Sequence, residues 1–186
     1  AECEGRTVTL KATATFKNGE TARAESFFTY TSTPVEVKTG DNWTNLGGNP
    51  QHVAVTKDTL NLPIRLAWVK NMGSNVYMTS PIVVDGKVFA ATMDENIQGK
   101  SSVTAMDATD GSLCWKYSTR SSVKNTIVSA QGLIFAQDIW GYLYAIDAKS
   151  GKLAWEKKLD VAVVPGLEDG LVANETTVFA GAGKGL

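Results

Sequence analysis

Two stretches forty residues apart carry one pattern, A-x-D-x-x-x-G-x-x-x-W. The first copy is Ala105, Asp107, Gly111 and Trp115, within AMDATDGSLCW. The second is Ala145, Asp147, Gly151 and Trp155, within AIDAKSGKLAW. A unit of this length built from short strands cannot bury its apolar faces alone, so it stacks on neighbours in an array. With strands as the building block, the expected array is a β-propeller. The same feature limits any functional reading, because propellers serve many purposes.

Strand-like runs alternate with Gly, Asn, Asp and Ser, and almost nothing reads as helix, so the fold class is all-β. Each unit reads as four short strands. The first unit comprises Pro81 to Val84, Lys87 to Met93, Ser102 to Asp107 and Leu113 to Tyr117. The second comprises Thr126 to Ala130, Leu133 to Gln137, Tyr142 to Asp147 and Leu153 to Lys157. Gly86 and Phe89 align with Gly132 and Phe135, and Asn96 to Lys100 is an insertion in the first unit. A third unit begins near Val161 and breaks off at Gly183-Lys184-Gly185-Leu186. Leu66-Ala67-Trp68 resembles Leu153-Ala154-Trp155 and reads as an outer strand without its first three. About two and a half units is too few for a closed ring. Residues 66–186 are therefore expected to be part of a longer protein, packed against neighbouring blades or domains.

Ahead of the repeats lie two other regions. In residues 1–34, Val8, Leu10, Ala12, Ala14 and Phe16 alternate with polar residues, the period of a half-buried strand. Asn18-Gly19 follows, a hairpin signal because both turn positions accept positive φ. A return strand ends in Phe27, Phe28 and Tyr30. Two strands alone are marginal in water. The hairpin is read as the last two strands of an immunoglobulin-like sandwich, the alternative being a hairpin packed on the propeller. Residues 35–65 are punctuated by Gly40, Gly47, Gly48 and Pro50, and read as a linker leading into the first blade.

Charge adds exclusions. The 18 basic and 19 acidic residues are interspersed, so there is no basic stripe for nucleic acid and no like-charge tail. No run of apolar residues is long enough for a transmembrane helix. AECEGRTVTL lacks the regions of a signal peptide. Cys3 and Cys114 match neither a zinc nor a redox spacing. Cys114, beside Trp115, is expected to be a small buried hydrophobe, whereas Cys3 has no assignable role.

The motif residues read as structural. Trp115 and Trp155 are flat rings suited to the gap between two twisted sheets, and each indole N–H needs an acceptor, for which a carbonyl of the neighbouring blade is the natural partner. Gly111 and Gly151 supply positive φ in tight turns, and Asp107 and Asp147 accept turn amides. Ala105 and Ala145 are small where sheets converge. Two aspartates can do acid–base chemistry, but Asp107 and Asp147 hold the same place in successive blades and so lie a blade apart. No catalytic, cofactor-binding or metal-binding residue is assigned, and no cofactor is expected within this segment.

These residues carry a family likeness. The A-x-D-x-x-x-G-x-x-x-W pattern resembles the tryptophan-docking motif of pyrroloquinoline-quinone-type β-propellers, and TSPIVVDGKVFAATMD resembles their opening strands. DNWTNLGGNPQH, with Trp43, Gly47, Gly48 and His52, looks like the stretch that precedes their first blade. The likeness spans residues 41–186. It implies a bacterial protein that is secreted, periplasmic or at the cell surface. The family includes quinone-dependent dehydrogenases, which carry an adjacent cysteine pair and a calcium site of acidic and amide side chains. It also includes outer-membrane assembly scaffolds that bind no quinone. This chain has no Cys-Cys. An immunoglobulin-like tail running into such a propeller also resembles the region downstream of calcineurin-like metallophosphoesterase domains, which implies a hydrolase parent.

Other signals carry less. Gly181-Ala182-Gly183-Lys184-Gly185 lacks the phosphate-loop pattern and reads as a blade turn. Asn174-Glu175-Thr176 fits the glycosylation acceptor pattern. His52 reads as a loop residue. Asp94-Glu95-Asn96 reads as a polar insertion loop, with cation contact the alternative. Trp140 and Tyr142 flank Gly141 in a loop between strands, and this loop, with residues 94–101, is the first candidate for recognition. Three functions stay in view. The leading one is a non-catalytic segment giving structure and a binding surface to a larger exported protein. The others are an accessory region of a metallophosphoesterase-type hydrolase and a fragment of a quinone-dependent dehydrogenase. Open blade edges also offer a route to oligomerisation or to protein partners.

Overall fold

The computed structural model describes residues 7–29, 37–38, 40–59, 66–94, 100–159 and 170–181. The chain divides into two compact units, Ala1–Glu36 and Val37–Leu186. In the first, β1 (Thr7–Thr15) pairs antiparallel with β2 (Thr21–Thr29), Thr15 opposite Thr21. The turn is wider than a two-residue Asn-Gly loop. Phe16 N–H donates to Glu20 O at 2.8 Å, and of the turn residues only Gly19 has positive φ, 85°. Asn18 instead accepts the Glu20 N–H on its side-chain oxygen at 3.1 Å. A residue that serves the turn through its side chain need not adopt the left-handed backbone.

The second unit contains two complete four-stranded antiparallel sheets and part of a third. The first blade is β3 (Ile82–Val84), β4 (Lys87–Ala91), β5 (Ser102–Asp107) and β6 (Leu113–Ser118), each strand pairing with the next. β7 (Val128–Ala130), β8 (Leu133–Gln137), β9 (Tyr142–Asp147) and β10 (Leu153–Lys158) repeat the order. β11 (Leu171–Ala173) and β12 (Val178–Ala180) open the third. The all-β partial propeller read from the repeat is thus the observed fold. Strand ends differ by a residue or two. Met93, expected in β4, leaves the ladder to bridge Asn75.

Period-two alternation explains why the middle strands are buried on both sides. Ile134, Ala136, Tyr144 and Ile146 face the first blade and join Ile82, Phe89, Val103 and Trp115 in one core. Their neighbours Phe135, Leu143 and Ala145 face the other way, joining Leu171 and Ala173 in a second. A one-residue slip in β8 or β9 would exchange the two faces, so the stacking of blades fixes the register.

Residues 43–45 do more than lead in. Trp43 exchanges both backbone hydrogen bonds with Val83 of β3, at 2.7 and 2.9 Å. Thr44 O accepts from Ser129 N of β7 at 2.8 Å. The buried Asn45 amide acts as a strand partner for β11, accepting from Ala173 N at 2.9 Å and donating to Ala173 O at 3.2 Å. Three consecutive residues therefore tie the first strands of three successive blades together. Gly48 turns this strap back under the Trp43 ring; a Cβ there would lie 2.8 Å from the indole, and φ is 89°.

Candidate functional site

The two motif copies build the interfaces between blades. In each copy Ala and Trp are direct cross-strand partners, Ala105 opposite Trp115 and Ala145 opposite Trp155. Trp115 is 9% exposed. Its indole Nε1–H donates to Ala148 O of the next blade at 3.0 Å, and its ring covers Gly151, whose missing Cβ would sit 2.6 Å away. Trp68 repeats this one step earlier. Its Nε1–H donates to Ala108 O at 2.9 Å, and its ring covers Gly111, again at 2.6 Å. The glycines are therefore needed twice, for a φ of 71° and 73° and for the ring above them. Trp155 differs. It rests on Phe135 with ring centroids 5.9 Å apart but is 40% exposed.

The motif carboxylates are engaged by their own turns. Asp107 accepts Thr109 N–H at 2.8 Å, and Asp147 accepts Ser150 N–H at 2.7 Å and its hydroxyl at 2.6 Å. Side-chain and then backbone hydrogen bonds from these residues hold both carboxyls below the usual aspartate range. Each carboxylate is bonded within its own turn.

A third carboxylate, Asp138, was not singled out in the sequence. It is fully buried at the start of the β8–β9 turn. One oxygen accepts Trp140 N–H at 3.0 Å and Tyr142 N–H at 2.9 Å; the other accepts the Tyr144 hydroxyl at 2.7 Å. Burial, and then this hydrogen bond to Asp138, push the Tyr144 hydroxyl well above its ordinary pKa. The turn so fixed presents Trp140, 48% exposed, beside Tyr142. Arg120 lies over the Tyr142 ring at 4.9 Å and Lys158 at 4.7 Å from its centroid. Arg120 is paired with Glu156 at 2.6 Å, and the Lys158 ammonium donates to Trp140 O.

Cys114 is exposed, not buried: on β6 its neighbour Trp115 takes the inward side, so the thiol points out. Asp94 accepts Lys100 N–H at 2.8 Å, while Glu95 and Asn96 lie outside the described residues, as do Cys3 and residues 182–186. Asn174 accepts Thr176 and Thr177 amides, both at 2.9 Å, in the β11–β12 turn. His52 sits in the strap with φ 54°. A cavity of about 790 Å³ opens where the strap meets two blade turns, with Thr44, Gln51, Gln131 and Glu175 among its walls. Among the described residues no three His, Cys, Asp or Glu side chains converge. Among the described residues the one thiol is on an outer strand and the motif carboxylates are engaged; Asn125 donates to Gln137, Gln137 donates to Gly181 O, and the Asn125 side-chain oxygen is buried with no hydrogen-bond partner. No described helix is long and apolar enough to cross a membrane.

Stacked four-stranded sheets clasped by a recurring tryptophan define a segment of a tryptophan-docked β-propeller. Residues 99–185 match the family model described as outer membrane protein assembly factor BamB, and the chain carries repeats of this pyrroloquinoline-quinone type. It is 30% identical over 104 residues to the dehydrogenase subunit of alcohol dehydrogenase (quinone) of Gluconacetobacter polyoxogenes, covering 50% of this chain and 13% of that protein. With quinohemoprotein alcohol dehydrogenase ADH-IIG of Pseudomonas putida it shares 35% over 88 residues, 41% of this chain and 11% of that protein. Among solved structures it superposes on a europium-containing methanol dehydrogenase with a TM-score of 0.56 at 20% identity, covering 75% of this chain and 27% of that one. The Pseudomonas putida HK5 ADH-IIG structure gives 0.51 at 26%, covering 70% and 22%. The chain thus spans a small part of each larger relative. The expectation of a phosphoesterase parent draws no support from these proteins.

Proposed function

We propose that this segment serves as a structural and binding element of a larger exported bacterial protein and performs no chemistry of its own. One observation carries the reading: the conspicuous polar groups of the motif are engaged by the fold itself. Asp107 and Asp147 brace their turns, and the indoles of Trp68 and Trp115 clasp the next blade. A second reading, a wall of a quinone-dependent alcohol dehydrogenase, is favoured by the 35% identity to the Pseudomonas putida enzyme. The two differ in what the full-length protein does with a cofactor, not in the role of these residues.

The test is to assay the full-length protein for alcohol oxidation with added pyrroloquinoline quinone and calcium, alongside Asp107→Asn and Asp147→Asn. Any activity should largely persist in both variants, because a carboxylate engaged by its own turn is not placed to transfer a proton to a substrate. A thousandfold loss in a variant that melts normally would refute the reading.

A further inference from the structure

The strap passes two blade turns that are built alike and meets them differently. Asp85 and Gln131 hold the same place in successive hairpins: φ is 48° and 50°, and the glycine that follows each has φ 72° and 74°. At the first turn the strap closes the junction. Asn42 Nδ2–H donates to Asp85 Oδ1 at 3.2 Å, and Asp85 N–H donates to Asn42 Oδ1 at 2.9 Å. At the second turn Gln131 donates its amide to Glu175 O of the third blade instead. The strap, here at Pro50 and Gln51, then faces the turn across the cavity of about 790 Å³. A junction that side chains of the strap can seal is thus left open at the second blade, at a size that encloses small organic ligands.

We propose that this cavity binds a neutral saccharide. This rests on the reading of the segment as a binding element and adds the class of ligand. The walls select the chemistry. Glu175 carries the one formal charge among the residues lining the cavity, so an anion meets a carboxylate there and no cation. The Gln51 carboxamide and the Glu175 carboxylate take part in no hydrogen bond or ion pair among the described residues. Gln131 donates to Glu175 O and keeps a carbonyl oxygen that can accept. The Asn174 oxygen is taken by the Thr176 and Thr177 amides, which leaves its NH₂ to donate. The cavity therefore offers donors and acceptors side by side. A hydroxyl both donates and accepts, so a ligand bearing several of them can satisfy this mixture. An apolar ligand would take water from these groups and return no hydrogen bond. Pro50 and Ala130 add the small apolar surface on which the C–H face of a sugar ring can rest.

The probes are maltose, cellobiose and lactose, each titrated calorimetrically into the full-length protein, with glucose 6-phosphate and spermidine as charged controls. Saturable binding of at least one disaccharide is expected, and added salt should leave it unchanged because the ligand is neutral. Gln51→Ala and Glu175→Ala should each weaken it about tenfold or more, the loss of one or two hydrogen bonds. Both side chains are exposed and hold nothing else in place, so the variants should melt as the parent does. Lys116→Ala, on β6 of the first blade, should bind as the parent does. Saturable binding by none of the three sugars would overturn the proposal. So would sugar binding that both substitutions leave unchanged, which puts the sugar elsewhere, or Glu175-dependent binding of spermidine without binding of sugar. None of these outcomes bears on the Asp107 and Asp147 activity test, so the two readings fail separately.

Discussion

Replacing Trp115 with alanine tests the clasp between blades. The side chain is 9% exposed, its ring lies on Gly151 and beside Phe89, and its indole N–H satisfies Ala148 O. Truncating a buried tryptophan costs about 3–5 kcal/mol, part of it from the cavity left behind. Leaving a carbonyl without its donor belongs to the same loss, at about 1 kcal/mol. In a unit of this size each kcal/mol lowers the melting temperature by about 2–4 °C, so Trp115→Ala should melt about 6–20 °C below the parent. Trp115→Phe keeps most of the ring and loses the hydrogen bond, so its cost should be about 1–2 kcal/mol. Trp155→Ala, at a site 40% exposed, should cost clearly less than Trp115→Ala. Thermal unfolding followed by near-ultraviolet circular dichroism ranks the three. If Trp115→Ala melted within two degrees of the parent (about 1 kcal/mol or less), or if Trp155→Ala were the worse variant, the argument from burial would be wrong.

Three further outcomes follow from the geometry. Gly151→Ala must accept a φ of 73° and push a Cβ into the Trp115 ring, so it should destabilise by about 2–4 kcal/mol, whereas Gly132→Ala, with φ 74° and open space, should cost about 1 kcal/mol; equal denaturant midpoints would remove the steric argument. Asn45→Ala strips both partners from the Ala173 backbone and should cost about 2–4 kcal/mol, read as faster hydrogen exchange at Ala173; unchanged exchange would show that the strap does not hold β11. Because Asp107 and Asp147 have depressed pKa values when folded, their stabilising effect is complete above the ordinary aspartate pKa and is lost as pH falls through the depressed one. The parent melting temperature should therefore fall more steeply in that acid window than that of an Asp107→Asn, Asp147→Asn variant, and parallel curves would contradict the turn-bracing role.

Fold class was legible because one local pattern recurs. The spacing from Ala105 to Trp115 contains a strand end, a glycine turn and a return, so it describes a hairpin without reference to distant residues. Cys114 marks a limit of local pattern: adjacency to a buried tryptophan does not imply burial, because strand neighbours face opposite ways. Asn18-Gly19 shows it again, since the dipeptide marks a turn without fixing its width. Other features have no local signature. Asn45 meets its partner 128 residues away, and nothing about one asparagine in a glycine-rich stretch announces that it substitutes for a strand. Asp138 was invisible for a related reason, as its burial depends on Tyr144 folding over it from the next strand. The Trp140 loop was conspicuous as an aromatic pair, but Arg120 and Lys158 come to it from other elements.

The most direct test of docking between blades is hydrogen exchange of the indole N–H groups, followed by nitrogen-edited NMR with each tryptophan assigned through its phenylalanine variant. Trp68 and Trp115, bonded to Ala108 and Ala148, should exchange slowly, whereas Trp140 on its exposed turn should exchange at a rate near that of free indole. Exchange at Trp115 as fast as at Trp140 would mean that the blades are not clasped by the repeat's tryptophan.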